Sequence, residues 1–157
     1  MKKYFLLLAL AAAATSCKKE NQPADPMVIT GDSGVAAPAV VSQEDLVKEA
    51  KSKPLTNLAL SENHHDFGKI KKGEKVAHTY TVTNTGTNPL IISQVKPGCG
   101  CTAPEYTKEP IMPGKTGKIM LSFDSANFDG LVNKQAEVYA NVEKAPITLS
   151  FSANIQP

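Results

Sequence analysis

The chain has 157 residues, with 17 lysines, no arginine and 15 Asp plus Glu, for a formal charge of +2. A balanced chain without arginine has no basic surface to attract a phosphate backbone and no planar fork to grip phosphate or guanine, which excludes nucleic-acid binding. Tryptophan is absent and there are three cysteines, and the length suits one domain of ordinary size plus a tether.

Lys2 and Lys3 precede residues 4–14, eleven residues without charge, and the stretch closes on Ala14-Thr15-Ser16-Cys17. Such a run is too short for a mature membrane-spanning helix but has the make-up of a secretory apolar core. A cysteine at its end, behind small residues, resembles the lipobox of bacterial lipoproteins, with Ala14 where the commonest lipoboxes carry Leu. The resemblance implies cleavage after Ser16, a diacylglyceryl thioether on Cys17 and an acylated new N-terminus. An ordinary signal peptide cut near residues 14–16, leaving Cys17 free, is the competing reading. Two or three acyl chains, at ~0.8 kcal/mol per buried methylene, anchor stably where one is marginal. The membrane is therefore an expected partner, and the cell envelope the expected location. Lys18-Lys19-Glu20 is not an obvious acidic surface-export signal, so the outer membrane facing the periplasm is the expected side.

Residues 18–41 read as a tether, because Pro23, Pro26, Pro38, Gly31 and Gly34 are scattered among polar and small residues with too little apolar bulk to offset ordering entropy. Ser42 and Asp45 then form a capping box; Leu46, Val47 and Ala50 make one apolar stripe, and Pro54 stops the helix. So short a helix is marginal alone and is expected to be mobile and incidental to the rest, docking on the domain being the alternative. The expected domains are a leader at 1–16, then anchor, tether and short helix over 17–54, then a β-sandwich over 55–157.

From residue 55 the pattern changes to period two. Leu58 and Leu60 alternate, followed by Phe67 and Ile70, the β-branched run 76–83, and residues 90–95. A Pro- and Gly-rich stretch, 97–114, reads as loop. Ile119, Leu121 and Phe123 alternate, as do Ala136, Val138, Ala140 and Val142, and the last strand covers 147–155. About seven short strands between Gly, Pro and Asn turns predict an all-β, immunoglobulin-like antiparallel sandwich. The immunoglobulin tryptophan is missing, and Cys99 and Cys101 are too close in sequence to pin two sheets together.

Four landmarks follow in order: His65-Asp66-Phe67-Gly68, Thr83-Asn84-Thr85-Gly86, Cys99-Gly100-Cys101-Thr102 and Met112-Pro113-Gly114. Together they resemble the domain of unknown function 1573, a family of exported bacterial domains common as lipoproteins in Bacteroidetes, over residues 58–155. The family is also similar to major-sperm-protein and Hydin-type immunoglobulin-like modules. The resemblance implies a seven-stranded sandwich and no established activity, and it carries no catalytic residue. Physically, Gly68 lets its strand bend, Asn84 and Gly86 suit a tight hairpin with a left-handed glycine, and Pro113-Gly114 turns into the next strand.

Cys99 and Cys101 leave three readings open: a disulfide across Gly100, a thiolate site for copper(I) or zinc(II), or two reduced thiols. A metal would need more donors, and His64, His65, His78, Met112 and Met120 are available, although none stands at a recognisable spacing from the cysteines. His64 and His65 otherwise read as an exposed strand end. No nucleophile elbow, phosphate loop or His-rich metal motif points to an enzyme, and Glu105 and Glu109 read as solvated charges. The expected function is a cell-envelope lipoprotein carrying a binding or scaffolding module for a protein partner, without cofactor. The alternative is a periplasmic metal- or thiol-handling protein built on the Cys99-Gly100-Cys101 loop.

Overall fold

A computed structural model describes residues 41–157, so the leader, Cys17 and the tether up to residue 40 lie outside the described residues. Eight strands follow one another: β1 (Leu58–Leu60), β2 (His64–Lys71), β3 (Lys75–Asn84), β4 (Ile92–Pro97), β5 (Thr102–Tyr106), β6 (Thr116–Asp124), β7 (Gly130–Ala140) and β8 (Ile147–Gln156). They form two four-stranded sheets in the orders β1-β3-β6-β5 and β2-β8-β7-β4. The immunoglobulin-like sandwich is the fold the period-two pattern predicts. Inward residues alternate along each long strand: Tyr80, Val82, Ile119, Leu121 and Phe123 from the first sheet meet Ala136, Val138, Leu149, Phe151 and Ala153 from the second, all buried. Burying each Val, Leu, Ile or Phe among them contributes ~1.5–3 kcal/mol.

Two of the strands depart from expectation. The eighth strand, β5, lies in the stretch read as loop because of Pro104. It is an edge strand paired to β6 alone, with Glu105 opposite Met120 and Tyr106 opposite Ile119, and an edge strand has one side where a missing N–H costs nothing. The sandwich is also not wholly antiparallel, since β2 pairs with β8 in parallel. β2 arrives from the other sheet rather than through a hairpin, so no tight turn dictates its direction. Its register slips between Asp66 and Lys69, where Asp66 Oδ1 accepts the Gly68 N–H at 3.0 Å and Gly68 adopts φ +67°. That bulge bends the edge.

Asn84 and Gly86 do not make the expected left-handed hairpin. Asn84 is fully buried: its Oδ1 accepts from Thr56 Oγ1 at 2.9 Å and Gly86 N at 3.0 Å, and its Nδ2 donates to Asn88 O and Ile111 O, both at 2.8 Å. Gly86 is needed for closeness, since a β-carbon there would collide with Thr56 Oγ1 and the Asn57 backbone nitrogen. Pro113-Gly114 does form a turn into β6, closed by Lys115 N donating to Met112 O at 2.9 Å.

The short helix α1 (Gln43–Lys51) is not incidental. Ser42 caps it with both halves of the capping box, its Oγ accepting Asp45 N at 3.2 Å and its N–H donating to Asp45 Oδ2 at 3.3 Å. Leu46 and Ala50, four residues apart, pack against Tyr139, which points out of β7 and away from the core. An aromatic ring on the outer face of a sheet needs cover, and the helix supplies it. Gln43 Nε2 reaches Glu137 Oε1 at 3.2 Å, while the Tyr139 hydroxyl donates to Glu137 Oε2 at 2.6 Å. Burial, reinforced by the Glu137 carboxylate, pushes the Tyr139 phenol up to about 12. Neutral phenol is thus favoured in the fold, and that stabilisation is complete below pH ~10 and lost as pH rises from there towards the folded value. Ultraviolet titration should show the Tyr139 phenolate forming well above the ordinary range. Leu46→Ser, which undocks the helix, should bring it back towards ~10; an unmoved transition would show that the helix does not cover the ring.

Candidate functional site

The cysteines sit in the loop between β4 and β5. They are half-buried and joined by a disulfide with their Cα atoms 5.3 Å apart, and both sulfurs approach Thr102 Oγ1. One residue separates them, so the bond restrains the unfolded chain far less than a fifteen-residue loop, for which ~3 kcal/mol is expected.

Strand β2 carries two neighbouring histidines to opposite faces, as period two requires. His64 points outward over β8. Its Nδ1 lies 3.0 Å from Ser150 Oγ and its Nε2 3.3 Å from Ser152 Oγ, and Ser152 in turn donates to Asp66 Oδ1 at 2.8 Å. The Gly68 N–H and then the Ser152 hydroxyl hold the Asp66 carboxyl below the usual carboxylate range. Serine, histidine and aspartate meet here, but in the wrong order for a nucleophilic triad. A triad needs the carboxylate on the far nitrogen of the imidazole to orient it and stabilise the imidazolium. Here a hydroxyl intervenes, and His64 and Asp66 are exposed on the outer face of the sheet.

His65 points inward, and the exposed strand end expected of it holds for His64 alone. Its ring stacks on that of His78 from β3, with centroids 3.5 Å apart and planes 6° apart. Phe67 meets the His65 ring edge-on at 4.7 Å, and Tyr80 meets His78 edge-on at 4.8 Å. Glu62, in the connection from β1 to β2, closes the group, with Oε1 2.8 Å from His78 Nε2 and Oε2 4.0 Å from His65 Nδ1. The connection is pinned beside β3: Ser61 N donates to Thr81 O at 2.9 Å, and Ser61 Oγ accepts from Thr81 N at 3.1 Å. Below the rings, the Tyr80 hydroxyl donates across the sandwich to Ser150 O at 2.7 Å. Burial first, and then the facing His78 ring, push the His65 imidazole below its ordinary value, which favours the neutral form with a free nitrogen lone pair.

Residues 58–155 match the model of a family described as Protein of unknown function (DUF1573). The chain belongs to this family. The domain is similar to a protein of unknown function from Porphyromonas gingivalis W83, with a TM-score of 0.57 and 19% identity over 64% of this chain and 47% of that one. It is also similar to the Vibrio cholerae VesB protease, with a TM-score of 0.50 and 14% identity over 64% of this chain and 32% of that one. The chain therefore spans about half of the first protein and a third of the second, and at these identities the likeness is one of fold. No curated protein matches the chain.

Elsewhere in the DUF1573 domain, the other sequence-level donors are scattered. Met112 is exposed before β6, Met120 lies on the outer face of β6 and so opposite to His78, and Glu105 and Glu109 are exposed on and after β5. Among the described residues, Glu62, His65 and His78 form the one group of three His, Cys, Asp or Glu donors whose ligand atoms lie within 4.8 Å of one another. Neither cysteine belongs to it. Glu62 carried no sequence signal. The two histidines carried a weak one, since each falls on the inward phase of its strand beside Phe67 and Tyr80.

Proposed function

We propose that this DUF1573 protein is a cell-envelope lipoprotein, anchored through Cys17, whose sandwich binds or scaffolds a partner protein and performs no catalysis. The anchor rests on the charged start, the apolar run and the small residues before Cys17. The binding reading is carried by the contrast between the two outer sheet faces. Among the described residues, α1 covers the β7–β4 side of one over Tyr139, whereas nothing covers the face of β3, β6 and β5, which has a shallow groove lined by Thr79, Glu105, Tyr106, Lys118 and Met120. The four sheet edges are poor templates for an added strand, since β1 has only three residues, β4 ends on Pro97, β5 contains Pro104 and β2 is bulged. A partner is therefore expected to meet side chains in the groove.

Cys17→Ala should move the protein from the membrane fraction to the soluble one, and unchanged fractionation would remove the anchor from this reading. For the binding reading, a photo-crosslinking residue is placed in living cells at Thr79 or Met120 in the groove, and at Asn154 on the opposite face. One dominant protein adduct from the groove positions, lost on Lys118→Glu, is expected. Equal labelling from both faces, or none, would overturn the groove as a docking surface.

A further inference from the structure

The pairing of His65 with His78 is unusual for a merely structural contact. Two imidazoles lie face to face at the rim of the sandwich, and both turn a nitrogen to the same carboxylate. Three elements converge to do this: the pinned β1–β2 connection, the inward face of β2 and the inward face of β3. The floor is apolar and rigid, since Phe67 packs edge-on to Phe151 at 5.4 Å and Tyr80 is fully buried. Glu62 stands at the open side, with its side chain 41% exposed. A disulfide-bonded cysteine pair offers no thiolate, so the nitrogen and oxygen donors gathered here are the better ligand set.

We propose that Glu62, His65 and His78 bind one divalent transition-metal ion, zinc(II) or copper(II), through Glu62 carboxylate oxygen, His65 Nδ1 and His78 Nε2. The donor chemistry selects the ion. Two imidazoles and one carboxylate suit borderline metals, whereas calcium and magnesium take oxygen donors. Three protein ligands leave zinc(II) a fourth tetrahedral position, or copper(II) a fourth in-plane one, for water or a donor from another molecule. The parallel rings must tilt apart to aim both lone pairs at one ion. That motion is a rotation about χ2, a broad and soft torsion in histidine.

The full chain, purified in detergent and stripped with EDTA, is titrated with zinc chloride and separately with copper(II) chloride. Calorimetry reads the affinity, and proton NMR of the histidine rings reads the zinc site. One equivalent should bind, and two of the three ring signals should shift, while the signal missing in His64→Gln should not. His65→Gln, His78→Gln and Glu62→Gln should each weaken binding by at least the ~10–100-fold typical of losing a supporting residue around a metal. His64→Gln and Cys99→Ser should leave it unchanged. Circular dichroism checks that each variant folds, and exposed Glu62→Gln decides the question if an inward histidine variant does not. Three results would overturn the site: no saturable binding, binding that survives His65→Gln and Glu62→Gln together, or binding lost on Cys99→Ser.

Discussion

Phe151→Ala is expected to cost about 3–5 kcal/mol, enough to remove much of the net stability of a domain this size. Phe151 is fully buried in the middle of β8, which is flanked by β2 and β7. Its ring meets Phe67 at 5.4 Å and Phe123 at 5.3 Å, and so joins both sheets. Truncation removes the ring's transfer energy and leaves a cavity that two pleated sheets, fixed by their ladders, cannot close. Denaturant unfolding followed by circular dichroism should show a large fall in midpoint with little change in slope. Phe128→Ala is the comparison, because Phe128 is half-buried and touches Phe123 from one side. A Phe151→Ala loss no greater than that of Phe128→Ala would show that the core is not organised around this ring.

Asn84→Ala should cost about 3–5 kcal/mol although it removes almost no apolar contact. The Asn84 amide satisfies the Thr56 hydroxyl, the Gly86 N–H and the carbonyls of Asn88 and Ile111. Alanine leaves these groups without that partner in a site the side chain itself had sealed, at ~1–3 kcal/mol for each one that water does not reach. Neighbouring Asn88 makes one side-chain bond, donating to Leu55 O at 2.8 Å, so Asn88→Ala should lose roughly a single hydrogen bond. Chemical unfolding of the two variants side by side tests this. Equal losses would mean that solvent enters and satisfies the Asn84 pocket.

These two residues also show how differently the chain exposes its logic. Phe151 was legible as core because residues 147–155 alternate apolar and polar side chains, and alternation is a local property of a pleated strand. Asn84 reads as a hairpin residue. Its Oδ1 does take the Gly86 N–H in a local turn, but the chain then crosses to the other sheet instead of turning back. The role of Asn84 depends on Thr56 and Ile111, which lie 28 and 27 residues away and are brought in by the packing of the loops. β5 was missed for the converse reason. Pro104 signals a break locally, and only the place of β5 at a sheet edge makes the proline harmless.

The sequence by itself determined the class of fold, its family, most of the strands with their inward faces, and the capping box of α1. Each of those is encoded at spacings of two to four residues, where backbone geometry alone fixes which side chains share a face. The tertiary structure decided which outer face α1 covers, why Gly86 must lack a side chain, and that β2 runs parallel to β8. It also decided that His65 and His78, thirteen positions apart, lie ring on ring beside Glu62. Period two puts His78 in phase with Tyr80. His65 reads as an exposed strand end, because Phe67 and Ile70 are out of phase until the bulge at Gly68 is known. The pattern does not say which strands will face each other across the sandwich, because that depends on the registers of β2 on β8 and β3 on β6, set by the packing of the whole core.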